Sequence, residues 1–167
     1  MRTVTAEEIL DSMNVFHEMT ESEARRFMER MSKEQPYIQL YIAAILDRGD
    51  FEDENDADAF ADLAAIIWHV MRKAAGGRLV KIKGGEIDRR EAKIIDLYEY
   101  AEDEAEEDWP DLVNSWIKGC NQRPLLEFVL NSLFSPENPY GLTSERGGMI
   151  MTYLRVIIDC LDNARLR

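Results

Sequence analysis

The side chains that most often bind metals in helical proteins are scarce in this chain and have the wrong spacing. There are two histidines, His17 and His69. A di-iron site of the ferritin type needs Glu-x-x-His on facing helices, so that both side chains reach one metal. Asn14 stands three residues before His17, Ile66 stands three residues before His69, and His-Glu-x-x-His is absent as well. No linear motif therefore indicates a metal, a cofactor or a catalytic residue, and we expect His69 to lie on the solvated side of its helix.

An acidic stretch at residues 50–62 has oxygen ligands that could suit Ca²⁺. An EF-hand loop beginning at Asp50 would need glycine at its sixth position, for a sharp turn, and a bidentate glutamate at its twelfth. Asn55 and Ala61 occupy these two positions. We interpret the stretch as the acid-rich start of a helix, where the helix dipole favours negative charge.

Two glycine pairs, at 76–77 and 84–85, bracket a short basic segment. A phosphate-binding loop would need Gly-Lys-Ser/Thr after a strand, whereas this segment follows a helical pattern. Apolar and basic residues alternate along it as in a strand, but no second strand pattern is available to satisfy its backbone groups. We predict an exposed basic loop over residues 76–87 that trypsin cleaves first, with the next helix beginning at Asp88. The bases between the glycine pairs are Arg78, Lys81 and Lys83.

The chain has two cysteines, Cys120 and Cys160, and no Cys-x-x-Cys pair. Each cysteine lies in step with apolar residues of a predicted helix, and free cysteine is among the most buried residue types. We expect two reduced thiols in the core. A disulfide or a reactive thiol is the alternative.

Charge is strongly segregated along the chain, whose net charge is −13. Residues 52–58 carry five acids and no base, and residues 99–111 carry eight acids. Residues 72–93 carry eight bases and three acids, so this stretch has a charge of +5 and the rest of the chain −18. Solvated helix faces would explain such a pattern. Acids at the end of a helix, however, oppose the helix dipole, and this favours a charge-polarised surface that docks a partner.

The candidate interaction surface combines the basic loop with the second acidic run. We expect a protein partner, with a basic surface favoured because the acidic part would steer it. A negative chain is expected to bind neither nucleic acid nor an anionic membrane, and a homo-oligomer stays open. The surface residues are Arg78, Lys81, Lys83, Glu102, Asp103, Glu106 and Glu107.

Apolar residues recur with the helical period of 3.6 along most of the chain. Capping boxes at Thr5 and Thr20 and a first-turn proline at Pro36 mark three helix starts. With 167 residues, 46% of them hydrophobic, the chain can form one domain with its own core. We predict an all-α, irregular, mostly antiparallel bundle of about eight helices in a single domain, residues 1–167, with a possible seam between two lobes at 76–87.

The longest apolar runs, 41–46 and 64–68, are far shorter than the ~20 residues of a membrane-spanning helix. The second run lies in a predicted fourth helix, about Asn55 to Ala75, whose wide apolar face makes it the most buried helix of the prediction. We therefore expect a soluble, cytoplasmic protein.

Two classes of function remain after these exclusions. The leading hypothesis is a non-catalytic helical protein of the cytosol that acts as a protein–protein interaction or adaptor module. The alternative is a small metal- or phosphate-dependent enzyme whose carboxylates come together from several helices. Four or more carboxylates in one cleft would favour the enzyme. A third, weaker hypothesis is an acidic DNA mimic, in which both acidic runs would follow one elongated face.

Overall fold

The computed structural model describes residues 1–48, 51, 54–102, 117–135 and 144–164, with side chains at all of these positions except 97–102 and 144–146. Within these ranges every regular element is a helix and no strand occurs, which confirms the all-α prediction. The seven helices are α1 (Ala6–His17), α2 (Glu21–Glu34), α3 (Pro36–Asp47), α4 (Glu54–Ala74), α5 (Gly84–Glu102), α6 (Arg123–Phe134) and α7 (Ser144–Asn163).

The helix-start signals of the sequence act as predicted in α1, α2 and α3. The carboxylate of Glu8 accepts a hydrogen bond from the backbone N–H of Thr5, the N-cap of α1. Glu23 accepts one from the N–H of Thr20 in the same way at α2. Pro36 occupies the first turn of α3, where its missing N–H costs no hydrogen bond.

A glycine pair ends α4 by a Schellman-type arrangement. Gly76 and Gly77 have φ values of 76° and 92°, in the left-handed region that side chains with a Cβ rarely adopt. The N–H of Gly76 bonds to the carbonyl of Lys73, and that of Gly77 bonds to the carbonyl of Arg72 at 2.8 Å. The predicted helix end is therefore confirmed.

The long helix α4 lies at the centre of the core. Eleven of its 21 residues are buried, the largest number in any helix of the described ranges, as expected from its wide apolar face. Phe60 and Trp68 are its largest fully buried side chains. α4 packs against α7 and α1, and α5 packs against α7. The buried residues before and after the predicted seam form one hydrophobic cluster.

An extended segment, residues 78–83, joins α4 to α5 and is held by a buried glutamine. Gln35 Nε2 donates to the carbonyl of Val80 at 2.8 Å, and Gln35 Oε1 accepts from the N–H of Ile82 at 3.0 Å. The N–H of Val80 also donates to the carbonyl of Ala164 at 2.7 Å. A side chain and the end of α7 thus replace the partner strand that the sequence lacks.

The predicted loop over 76–87 is correct as to the absence of a strand but wrong at its end. α5 begins at Gly84, not at Asp88, because the Glu86 carboxylate accepts from the N–H of Lys83 at 3.0 Å and caps the helix earlier. The basic side chains of the segment are exposed as we expected, but the Gln35 contacts fasten its backbone to the core.

A second buried glutamine holds the N-terminal segment with the same geometry. Gln122 Oε1 accepts from the N–H of Val4 at 3.0 Å, and Gln122 Nε2 donates to the carbonyl of Arg2 at 2.9 Å. The same Nε2 also donates to Asp162 Oδ1 at 2.6 Å. In both cases the glutamine bonds to the N–H of one residue and to the carbonyl two residues earlier. We call these arrangements the Gln35 clamp and the Gln122 clamp.

Each clamp joins distant parts of the chain. The Gln35 clamp holds the segment that leads into α5 from a position just before α3, and the Gln122 clamp holds the segment that leads into α1 from a position just before α6. The Gln35 clamp therefore ties the connection between α4 and α5 to the start of α3, and the Gln122 clamp ties the N-terminal segment to the start of α6.

Candidate interaction site

The extended segment presents its basic side chains to solvent because its apolar side chains are needed in the core. Leu79 and Ile82 are buried, whereas Lys81 and Lys83 are exposed. Val80 is 41% exposed and adds an apolar side chain to this surface.

The first turns of α5 continue this basic surface. Ile87 and Ile94, seven residues apart, are buried on the core side of the helix. Arg89 and Lys93, four residues apart, share another side and are exposed, and Arg90 beside them is half-buried. The amphipathic pattern of α5 therefore places three bases together.

A polar network fixes α5 against α3. The Glu91 carboxylate accepts from the hydroxyl of Tyr41 and from Nη1 of Arg48, each at 3.2 Å. Burial and the nearby Glu91 charge raise the pKa of Tyr41, so its hydroxyl stays protonated and remains a donor at neutral pH. The basic side of α5 is thus held by packing and by hydrogen bonds.

The segment, the start of α5 and the end of α7 enclose a groove of about 670 Å³. Cys160, Asn163 and Ala164 form its α7 wall. Among the described residues that line the groove there are five cationic side chains and one carboxylate, that of Glu86, so positive charge is in excess. We call it the basic groove, and its cationic side chains are Lys81, Lys83, Arg89, Arg90 and Lys93.

Both cysteines are free and buried in the structure, as predicted. Burial raises the pKa of the Cys160 thiol to about 12, although the nearby Arg90 charge opposes this effect. Burial likewise raises the pKa of the Cys120 thiol. The thiolate is the reactive form, so neither cysteine is poised as a nucleophile.

We therefore expect both thiols to resist modification in the folded protein. At pH 8 the thiolate fraction of Cys160 should be roughly a thousandfold below that of an exposed cysteine. Ellman's reagent should release two equivalents rapidly in guanidinium chloride and almost none from the native protein over the same time. Rapid native release that a Cys160→Ala substitution abolishes would contradict this expectation.

The structure brings together part of the predicted interaction surface. Lys81 and Lys83 line the basic groove, whereas Arg78 is exposed but does not line it. Glu102 is the last residue of α5, and its side chain is outside the described part of the chain. Three predicted acids also lie outside the described residues: Asp103, Glu106 and Glu107.

Sequence reasoning counted Arg89, Arg90 and Lys93 among the bases of the central stretch but did not include them in the candidate surface. Their helical spacing was a usable signal, because all three lie within the helix predicted from Asp88. The sequence did not show that they line a groove together with the extended segment and the end of α7.

The structure corrects the prediction for His69. This residue is half-buried rather than solvated, because Phe27 of α2 covers that side of α4, with the centroids of the two rings 5.5 Å apart.

Within the described ranges, no group of three or more His, Cys, Asp or Glu side chains is arranged to hold a metal ion.

No helix in the described ranges combines the length and the apolar character needed to cross a membrane. Comparisons of the chain with protein-family models, with characterised proteins and with solved structures found no match, so the function must be argued from the residues themselves.

Proposed function

We propose that this protein is a non-catalytic protein–protein interaction module whose basic groove binds an acidic segment of a partner protein. The observation that supports this most is the groove itself, whose described lining has five cationic side chains and one carboxylate in a chain of net charge −13. Fixed charges of one sign in a concave site raise the local concentration of ligands of the opposite sign. They also contribute to specificity and to the association rate.

The walls of the groove favour a peptide over other anions. Ile82, Cys160 and Ala164 give it an apolar floor, and Val80 adds an exposed apolar rim. A nucleic acid would meet the negative charge of the rest of the chain, and its phosphates would not use an apolar floor. The occupant that fits is a short acidic segment with at least one apolar side chain.

The acidic run at 99–111 gives the same module a second region of opposite charge. We propose that it favours a basic surface on the partner, as the sequence analysis expected, so that partner and module would meet through two complementary contacts. Two reduced, buried thiols are in keeping with a cytoplasmic location, which belongs to the same proposal.

A synthetic peptide of alternating glutamate and leucine, labelled with fluorescein, tests the groove directly. We expect saturable binding by fluorescence anisotropy that weakens from about 0.05 M to about 0.3 M NaCl, because salt screens exposed charges. The double variant Lys81→Glu/Lys93→Glu should weaken binding at least about tenfold, and both positions are exposed, so folding should be unaffected.

The matched control is Arg25→Glu/Arg123→Glu, which changes the net charge equally at two exposed positions outside the groove. Its affinity for the peptide should stay close to that of the natural chain. An equal loss of peptide affinity in both double variants would show that net charge alone causes the effect. A self-associating chain that only the groove variant makes monomeric would identify a second copy as the occupant instead. Either result would overturn the proposal.

A further inference from the structure

A second pocket, of about 530 Å³, lies where α1, α2 and α4 meet, away from the basic groove. One wall is aromatic, since the rings of Phe27 and Trp68 meet edge-on with their centroids 5.0 Å apart. Val15 and Met19 extend the apolar surface. A pocket of this size suits a small molecule. We call it the aromatic pocket.

Two residues that line this pocket each carry a ring nitrogen atom that has no hydrogen-bond partner among the described residues. Trp68 is fully buried, and its indole Nε1 is one of them. Nε2 of the half-buried His69 is the other. Leaving such a buried group unpaired is costly, and buried polar atoms without partners are uncommon in native proteins. The indole N–H can only donate a hydrogen bond, so its partner must be an acceptor.

Charged side chains of both signs line the pocket. The three arginines are Arg26, Arg30 and Arg72, and the two carboxylates are those of Glu18 and Glu23. Arg72 is already paired with Glu34, so binding of an anion would depend on an arginine that has no carboxylate partner.

Arg30 is the arginine best placed to bind a ligand. It is exposed and has no ion-pair or hydrogen-bond partner in the described part of the chain. Arg72 is different, because its Nε donates to Glu34 at 2.8 Å and its guanidinium lies 5.9 Å from the centroid of the Trp68 ring. Access to Trp68 therefore requires the long side chain of Arg72 to rotate.

We propose that the aromatic pocket binds a small organic acid, with its carboxylate between Arg30 and the indole N–H of Trp68 and its apolar body against Phe27. A guanidinium and an N–H donor on one carboxylate form charge-assisted hydrogen bonds, which are about twice as strong as neutral ones. Burial and the charges of Lys73, Arg72 and Arg30 lower the pKa of His69, so its ring is neutral at pH 7 and adds no charge. This site does not depend on the basic groove.

Phenylacetate is a suitable test ligand, because it combines one carboxylate with an aromatic body. We expect it to shift the indole N–H signal of Trp68, assigned through its contacts with Phe27, in nitrogen-15-labelled protein. The shift should saturate with a Kd of about 1 mM or tighter, in line with the usual affinity of so small a ligand. Phenylacetamide and inorganic phosphate, which each lack one half of the ligand, should bind at least about tenfold more weakly.

The variant Arg30→Gln should weaken phenylacetate binding about tenfold while leaving the thermal midpoint unchanged, since Arg30 is exposed and unpaired in the described ranges. Arg25→Gln removes the same charge at an exposed position of α2 that lines neither the aromatic pocket nor the basic groove, and it should have no effect. Three results would overturn the proposal: no saturable shift at Trp68, equal binding of phosphate, or equal affinity of the Arg30→Gln variant.

Discussion

Replacing Gln35 by methionine is expected to lower the free energy of unfolding by about 2–4 kcal/mol. Methionine keeps most of the side-chain volume but removes both hydrogen bonds of the Gln35 clamp. The carbonyl of Val80 and the buried N–H of Ile82 then lose their amide partner, and each orphaned group costs about 1–3 kcal/mol. Urea denaturation, with the slope of the transition unchanged, measures the loss.

Gln39 provides the matched control, one turn further along α3. The structure gives its buried amide oxygen no hydrogen-bond partner within the described residues, so Gln39→Met removes no bond from that atom. We expect the unfolding free energy of this variant to change by less than about 0.5 kcal/mol or to rise. Equal losses at both positions would assign the effect to packing and would rule out the clamp as its cause.

Limited proteolysis is an independent test of the Gln35 clamp. In the natural chain trypsin should cut slowly after Lys81 at low and at high salt, because amide hydrogen bonds and two buried apolar side chains hold the segment, and ionic strength screens neither. In Gln35→Met the cut after Lys81 should become fast. A cleavage rate in the natural chain that rises steeply with salt would show that ion pairs hold the segment instead.

The parts of the fold that were predictable from sequence depend on residues close together in the chain. The capping boxes at Thr5 and Thr20 join residues three apart, and the glycine pair after α4 acts within one helical turn. The burial of α4 was predictable as well, because a wide apolar face has no stable position except the core.

The parts that escaped prediction depend on contacts between distant residues. Gln35 bonds to backbone groups 45 and 47 residues away, and nothing in its neighbourhood distinguishes it from a solvated glutamine. The burial of His69 has the same origin, since Phe27 reaches it from another helix. A prediction from hydrophobic periodicity considers each helix by itself and therefore places such polar side chains in solvent.

The candidate site was half predictable for the same reason. Lys81 and Lys83 were visible as a local run of bases. The apolar floor was not, because Cys160 and Ala164 come from α7, about eighty residues further along. A run of bases on a loop and a run of bases around an apolar groove have the same composition, and only the packing of α5 on α7 distinguishes them.

The second large effect is expected at Gln122, where methionine should cost about 2–4 kcal/mol of unfolding free energy. The substitution leaves the buried N–H of Val4 and the carbonyl of Arg2 without their amide partner, and it removes a donor from the carboxylate of Asp162. Asn121 is the matched neighbour. It also donates to Asp162, at 2.9 Å, but it does so at the exposed surface.

Asn121→Leu should therefore lower the free energy of unfolding by less than about 1 kcal/mol, since water can replace an exposed hydrogen bond.

The double variant Gln35→Met/Gln122→Met tests whether the two clamps stabilise one cooperative structure or two independent parts. If they fasten one cooperative structure, the double variant loses about 4–8 kcal/mol, a large part of the 5–15 kcal/mol typical of a domain, and unfolds in a single transition at very low urea. Two separate transitions, each shifted by one substitution only, would show that the chain unfolds in two independent parts, and the single cooperative structure would be wrong.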